Sequence, residues 1–111
     1  MKRWHNILSQ VCYERARGYM NIISGLVSRD IRTSRDHFAK LCRALVAQTL
    51  SKEGFSNRMI AKCMGCSNAN IYLLKKIEIT EIAGIAEDFN KRKYDIHIEP
   101  NSRAVEVGGC L

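Results

Sequence analysis

From Trp4 to Val27 apolar side chains return every three or four positions, at Trp4, Ile7, Leu8, Val11, Tyr19, Met20, Ile23 and Leu26. This is the spacing that lines one face of an α-helix. Gly18 and Gly25 weaken the pattern, so the segment reads either as one long helix or as two. A better stripe follows at Phe38, Leu41, Cys42, Leu45, Val46, Thr49 and Leu50, with Lys40, Gln48 and Lys52 facing outward. Ahead of it, Thr33-Ser34-Arg35-Asp36 sets a hydroxyl three residues before a carboxylate, a pair that satisfies free amides at a helix start, and predicts that the helix begins there. Gly54 predicts its left-handed end. Past it, Met59, Ile60, Cys63 and Met64 mark a short helix behind Ser56. Ile71, Leu74 and Ile77 mark another, and Ile82, Ile85, Ala86 and Phe89 a further one that Thr80 caps and that runs into Lys91-Arg92-Lys93.

Only then does the period change. Tyr94, Ile96 and Ile98 alternate with Asp95, His97 and Glu99, and Pro100-Asn101-Ser102 reads as a turn before Ala104 to Val107. The expected fold is therefore mainly α. Residues 1–93 form a helical bundle with a helix-turn-helix at about 56–77, and residues 94–111 an extension read as a short β-hairpin or a flexible tail.

With 111 residues, 46% hydrophobic and 26% charged, the chain supplies the core of one domain without metal or disulfide staples, which excludes a multi-domain enzyme and a disordered polymer. The net charge of +7 is unevenly placed: residues 1–35 and 36–76 each carry seven basic and two acidic side chains, whereas residues 77–111 carry four and seven. The first two-thirds should draw polyanions, and the acidic end cannot share the phosphate-facing surface. No apolar run approaches the ~20 residues that cross a bilayer, and the start lacks a signal-like apolar core, so a cytoplasmic protein without membrane contact is expected.

Five cysteines, an odd count without a secretory signal, predict reduced thiols. Cys63-Met-Gly-Cys66 has the spacing of half a zinc site, but no second pair of ligands accompanies it, so no metal or other cofactor is expected. His5, His37 and His97 are scattered and no nucleophile has a base at a recognisable spacing; no catalytic residue, and no enzyme, is predicted.

The segment Gly54 to Lys76 matches a helix-turn-helix for mechanical reasons. Ala61 is small where the two helices come closest, and Gly65 tolerates positive φ in the turn. Ser67 caps the second helix, while Ile60, Met64, Cys66, Ile71 and Leu74 point to a shared core. Left facing away are Asn68, Ala69, Tyr72 and Lys76, with Lys75 at the flank, and Ser67, Asn68, Ala69 and Tyr72 are the candidate base-contacting residues: an amide can bond adenine bidentately and a small apolar group can meet a thymine methyl. Asn68 reads equally as an ordinary helix-start amide, and Asn70 more simply so. Arg29, Arg32, Arg35, Arg43, Arg58, Lys62, Lys75 and Lys76 are the candidate phosphate and minor-groove contacts, with a solvated basic surface as the plainer alternative.

On Ser34-Arg35, Cys42-Arg43-Ala44-Leu45, Leu50, Gly54-Phe55-Ser56, Ile60-Ala61, Met64-Gly65 and Lys75-Lys76-Ile77, residues 26–77 resemble the C-terminal DNA-binding domain of the bacterial replication initiator DnaA, a relative of the Trp repressor fold. The resemblance implies a helix-turn-helix in the major groove and a basic loop that sends Arg35 into the minor groove, with Arg29 and Arg32 beside it. The chain departs from that family after the turn glycine, where Cys66-Ser67-Asn68-Ala69-Asn70 replaces an Arg-Asp-His-Thr-Thr string and the turn is one residue shorter. It also has no Gly-x-x-x-x-Gly-Lys-Ser/Thr phosphate loop. The expected function is sequence-specific binding of double-stranded DNA, as a small regulator or as an accessory of replication or a mobile element. The alternative is an interaction adaptor without DNA binding. Either would accommodate a homodimer formed through the alternating residues of the C-terminal segment.

Overall fold

The computed structural model describes residues 2–93, with side chains from Ile7 onward. All regular structure among them is helical: α1 (Lys2–Val27), α2 (His37–Lys52), α3 (Asn57–Met64), α4 (Asn68–Lys76), and α5 over residues 83–93, which the 3-10 turn Thr80–Ile82 leads into. The hairpin or tail expected at residues 94–111, and the dimer contact placed on it, lie outside the described residues. None of the described helices is long and apolar enough to cross a membrane.

α1 is one helix, not two. Cys12, Ala16, Tyr19, Met20 and Ile23 form a buried face that continues past Gly18, and α1 packs on both α2 and α3. Burying such side chains at ~1.5–3 kcal/mol each outweighs the ~1 kcal/mol that glycine costs inside a helix. The helix stops at Ser28, whose φ of 57° is left-handed and turns the chain so that the Arg29 amide reaches back to the Ser24 carbonyl at 3.1 Å.

The start of α2 corrects the sequence reading. Thr33 lies in a turn and the helix begins at His37, with Asp36 extended at the N-cap position and making no side-chain capping bond. Its carboxylate instead pairs with Arg29 at 2.6 Å. Tertiary anchors prevail over the local capping pattern: Ile31 is fully buried and its amide is held by the Ser24 hydroxyl.

α2 is the central helix, buried on more than its expected stripe because Ala39, Ala44 and Ala47 also lose contact with water. Gln48, expected to face outward, is half-buried, and its Nε2 donates to the carbonyls of Leu74 at 3.1 Å and Ile77 at 2.7 Å. It thereby adds a second donor to the Leu74 carbonyl, which the Ile77 amide already meets at 3.2 Å, and supplies one to the Ile77 carbonyl just past the end of α4. Gln48→Ala should cost about 1–3 kcal/mol in chemical denaturation, and the amides of the last turn of α4 should exchange hydrogen faster than in the parent.

α5 joins the bundle through Ile82 and Phe89, both buried; the expected partners Ile85 and Ala86 are half-buried. The Phe89 ring meets Tyr19 edge-on at a centroid distance of 5.2 Å. The Tyr19 hydroxyl donates to Glu53 at 2.6 Å, and Arg15 reaches the other carboxylate oxygen at 3.1 Å. A buried aromatic and a polar network therefore tie α1, the end of α2 and α5 together.

The core thiols give the fold a pH dependence. Burial, then a hydrogen bond with the Cys63 thiol, pushes Cys12 up to about 12 from an ordinary 9.0. Burial raises Cys42 as well, and burial with the Glu53 contact raises the Tyr19 phenol. Each group is held neutral in the folded chain at a pH where it ionises in the unfolded one, so its contribution is complete below its ordinary value, 9.0 for the thiols and 10.0 for the phenol, and is lost as pH rises beyond it. The expected Tm is flat towards neutral pH and falls above about pH 9, by on the order of 1 kcal/mol of stability per pH unit for each group whose ordinary value has been passed, the thiols first and the phenol above pH 10. Cys12→Ser, whose hydroxyl does not titrate there, should flatten the slope in a melting series from pH 8 to 11.

Candidate nucleic-acid interface

The corner at residues 56–77 is assembled by local signals. Ser56 caps α3 by accepting from the Met59 amide at 3.2 Å, and Ser67 caps α4 by accepting from the Asn70 amide at 3.1 Å. Between them Gly65 adopts φ 73° and ψ 38°, a left-handed conformation that a β-carbon disfavours, and the Cys66 amide closes the turn on the Ala61 carbonyl at 2.9 Å. Ile60, Ala61, Ile71 and Leu74 are buried at the junction, while Met64 and Cys66 remain half-buried.

Since successive helical residues turn by about 100°, burial of Ile71 and Leu74 determines what α4 presents on its opposite side. Ala69, Tyr72, Leu73 and Lys76 are all exposed and share that side, with Tyr72 at 52% and Leu73 at 59%. The Lys76 ammonium lies 4.1 Å from the Tyr72 ring centroid, so charge and aromatic surface are presented together. Ser67 and Asn68 are exposed at the start of the helix, and Asn70 on its flank. Leu73 was not among the candidates from sequence. Projecting α4 as a wheel centred opposite Ile71 and Leu74 would have found it.

The eight candidate cations divide by what they touch. Arg32, Arg35 and Arg43 line a cleft of about 410 Å³ whose other wall is the turn and α4, at Met64, Gly65, Cys66 and Asn70. Arg35 is exposed and makes no hydrogen bond or ion pair among the described residues; Arg32 makes a 3.4 Å contact with Asp30, both side chains being about half exposed. Arg43 is turned inward. Its Nη1 donates to the carbonyls of Ile31 at 2.8 Å and Ser34 at 2.6 Å and so pins the loop that carries Arg32 and Arg35. Arg29 pairs with Asp36 and lies over the Phe38 ring at 5.6 Å.

Further bonds stiffen this loop. The Ser34 hydroxyl donates to the Asp30 carbonyl at 3.1 Å, and the Arg32 amide donates to the Asp30 carboxylate at 2.9 Å, the leading cause that lowers this carboxyl below its usual range. On the far side of the corner, Lys75 donates to the Asn57 side chain at 2.8 Å, bridging the two helices. Arg58 and Lys62 are exposed on α3 and line a separate hollow with Ser9.

Among the described residues no group of three or more His, Cys, Asp or Glu is gathered as metal ligands would be. Cys63 and Cys66 are half-buried, the Cys63 thiol lying 3.8 Å from the Ser9 carbonyl and Cys66 lining the cleft. No family model, curated protein or solved structure matches this chain.

Proposed function

We propose that this chain binds double-stranded DNA with sequence preference, laying the exposed side of α4 in the major groove and setting the loop at residues 29–35 against the neighbouring backbone, with Arg35 reaching into the minor groove. The observation that carries this reading is that the side of α4 turned away from the core exposes apolar, aromatic and cationic groups, with the Asn68 and Asn70 amides exposed on its flanks, and adjoins across Asn70 a cleft walled by Arg32 and Arg35. The resemblance to the initiator's DNA-binding domain supports the same docking, and a role as a small regulator or as an accessory of replication or a mobile element. In this arrangement Ser67, Asn68, Ala69 and Tyr72 meet base edges, Arg58 and Lys62 on the first helix of the corner meet phosphate, and Arg29, Arg43 and Lys75 act chiefly by holding the frame.

The test is selection from a randomised duplex pool followed by titration of the enriched site against salt. Arg32, Arg58, Lys62 and Lys76 at phosphate, with Arg35 in the minor groove, set about five cations against the duplex, so the expected log–log slope is roughly −4 to −5. A flat salt response with no enriched motif overturns the proposal. The adaptor reading rests on Ile7 and Leu8, which α1 leaves 46% and 47% exposed. It would gain from a protein partner whose binding is lost in an Ile7→Ser, Leu8→Ser variant.

A further inference from the structure

We infer that the middle of α4 reads thymine by its 5-methyl group, and that Leu73 is the residue chiefly responsible. This rests on the duplex-binding reading above and adds to it a chemical class of target. Leu73 is the most exposed large apolar side chain among the described residues, at 59%, and it stands one turn beyond Ala69 on the same side of the helix. An isolated exposed leucine needs no explanation. This one lies in a strip, Ala69, Tyr72 and Leu73, that ends at Lys76 and is flanked across Asn70 by the cleft of Arg32 and Arg35.

An apolar strip set in a cationic surface suits a polyanion whose recessed floor carries apolar groups. Unmodified base pairs offer one such group in the major groove, the thymine methyl. Asn68 and Asn70, on the two flanks of the strip, are left to read hydrogen-bonding edges on either side of it.

The experiment takes the duplex enriched from the random pool and replaces each thymine in turn by deoxyuridine, which removes the methyl and keeps every hydrogen-bonding group. At one or two positions the parent should lose affinity roughly four-fold, the worth of one buried methyl. In Leu73→Ala the thymine and deoxyuridine duplexes should bind equally at the position Leu73 faces, with a melting temperature close to that of the parent because the side chain is mostly in solvent. An enriched motif in which every deoxyuridine is tolerated overturns the inference and leaves duplex binding standing. A deoxyuridine loss that persists undiminished in Leu73→Ala overturns the assignment to that residue. Failure to enrich any motif removes both readings together.

Discussion

Asn68→Ala, Tyr72→Ala is expected to lose about 100-fold in affinity for the selected duplex while unfolding within about half a kcal/mol of the parent. The two effects separate because of where the side chains stand. Both are exposed, and among the described residues neither side chain makes a hydrogen bond or ion pair; the Lys76 ammonium over the Tyr72 ring is worth about 0.5 kcal/mol at such a site. Asn68 occupies the first position of α4, where alanine is no worse a helix former. If each residue supplies one specific base contact at ~1–3 kcal/mol, losing both costs a few kcal/mol of specific binding. Affinity for unrelated duplex should change little, since phosphate contacts carry that part. Competition titrations with specific and random duplexes, beside a thermal melt, check the prediction; an equal loss on both duplexes would mean that α4 meets backbone and not bases.

Phe89→Ala is expected to give the largest loss of stability. The ring is fully buried and, with Ile82, is one of the two buried side chains through which α5 and the turn before it join the bundle. Truncating such a ring costs about 3–5 kcal/mol, a large share of the 5–15 kcal/mol of a domain of this size. At ~4–8 °C for each kcal/mol, Tm should fall by at least ~12 °C. Part of the cost reaches beyond the cavity, because the ring lies edge-on to Tyr19, whose hydroxyl is committed to Glu53 and through it to Arg15. Calorimetry with urea denaturation measures the effect. A loss below ~1 kcal/mol would mean that α5 adds little to the bundle.

The two variants divide the protein into a frame and a surface, and the loop after α1 belongs to both. Ile31 is buried, Arg43 and Ser34 bond the loop's own carbonyls, and Arg35 is left exposed. A cation held on a stiff loop gives up less conformational freedom on binding than one on a mobile arm. Arg43 is thus a positioning residue in the proposed complex: its guanidinium acts on DNA through the loop it holds.

What the amino-acid sequence determined by itself was most of what depends on one turn of chain. Ser56 and Ser67 cap the helices they precede, Gly65 takes the left-handed turn, Gly54 with φ 102° ends α2, and the short helix at residues 57–64 has the bounds its pattern predicts. Such signals are hydrogen bonds and backbone conformations among neighbouring residues, so they hold wherever no distant group competes for the same atoms.

What only the tertiary structure decided was how polar and apolar groups were shared between frame and surface. Three-residue logic at Thr33 was overruled by a buried Ile31, Gln48 was turned inward by carbonyls 26 and 29 positions away, and Arg43 was drawn to carbonyls at 9 and 12. Leu73 and Asn70 acquired their places from the direction in which Ile71 and Leu74 found their partners in the core. Each of these depends on atoms distant along the chain, and a cation or an amide carries no mark in its own neighbourhood of which distant acceptor will claim it.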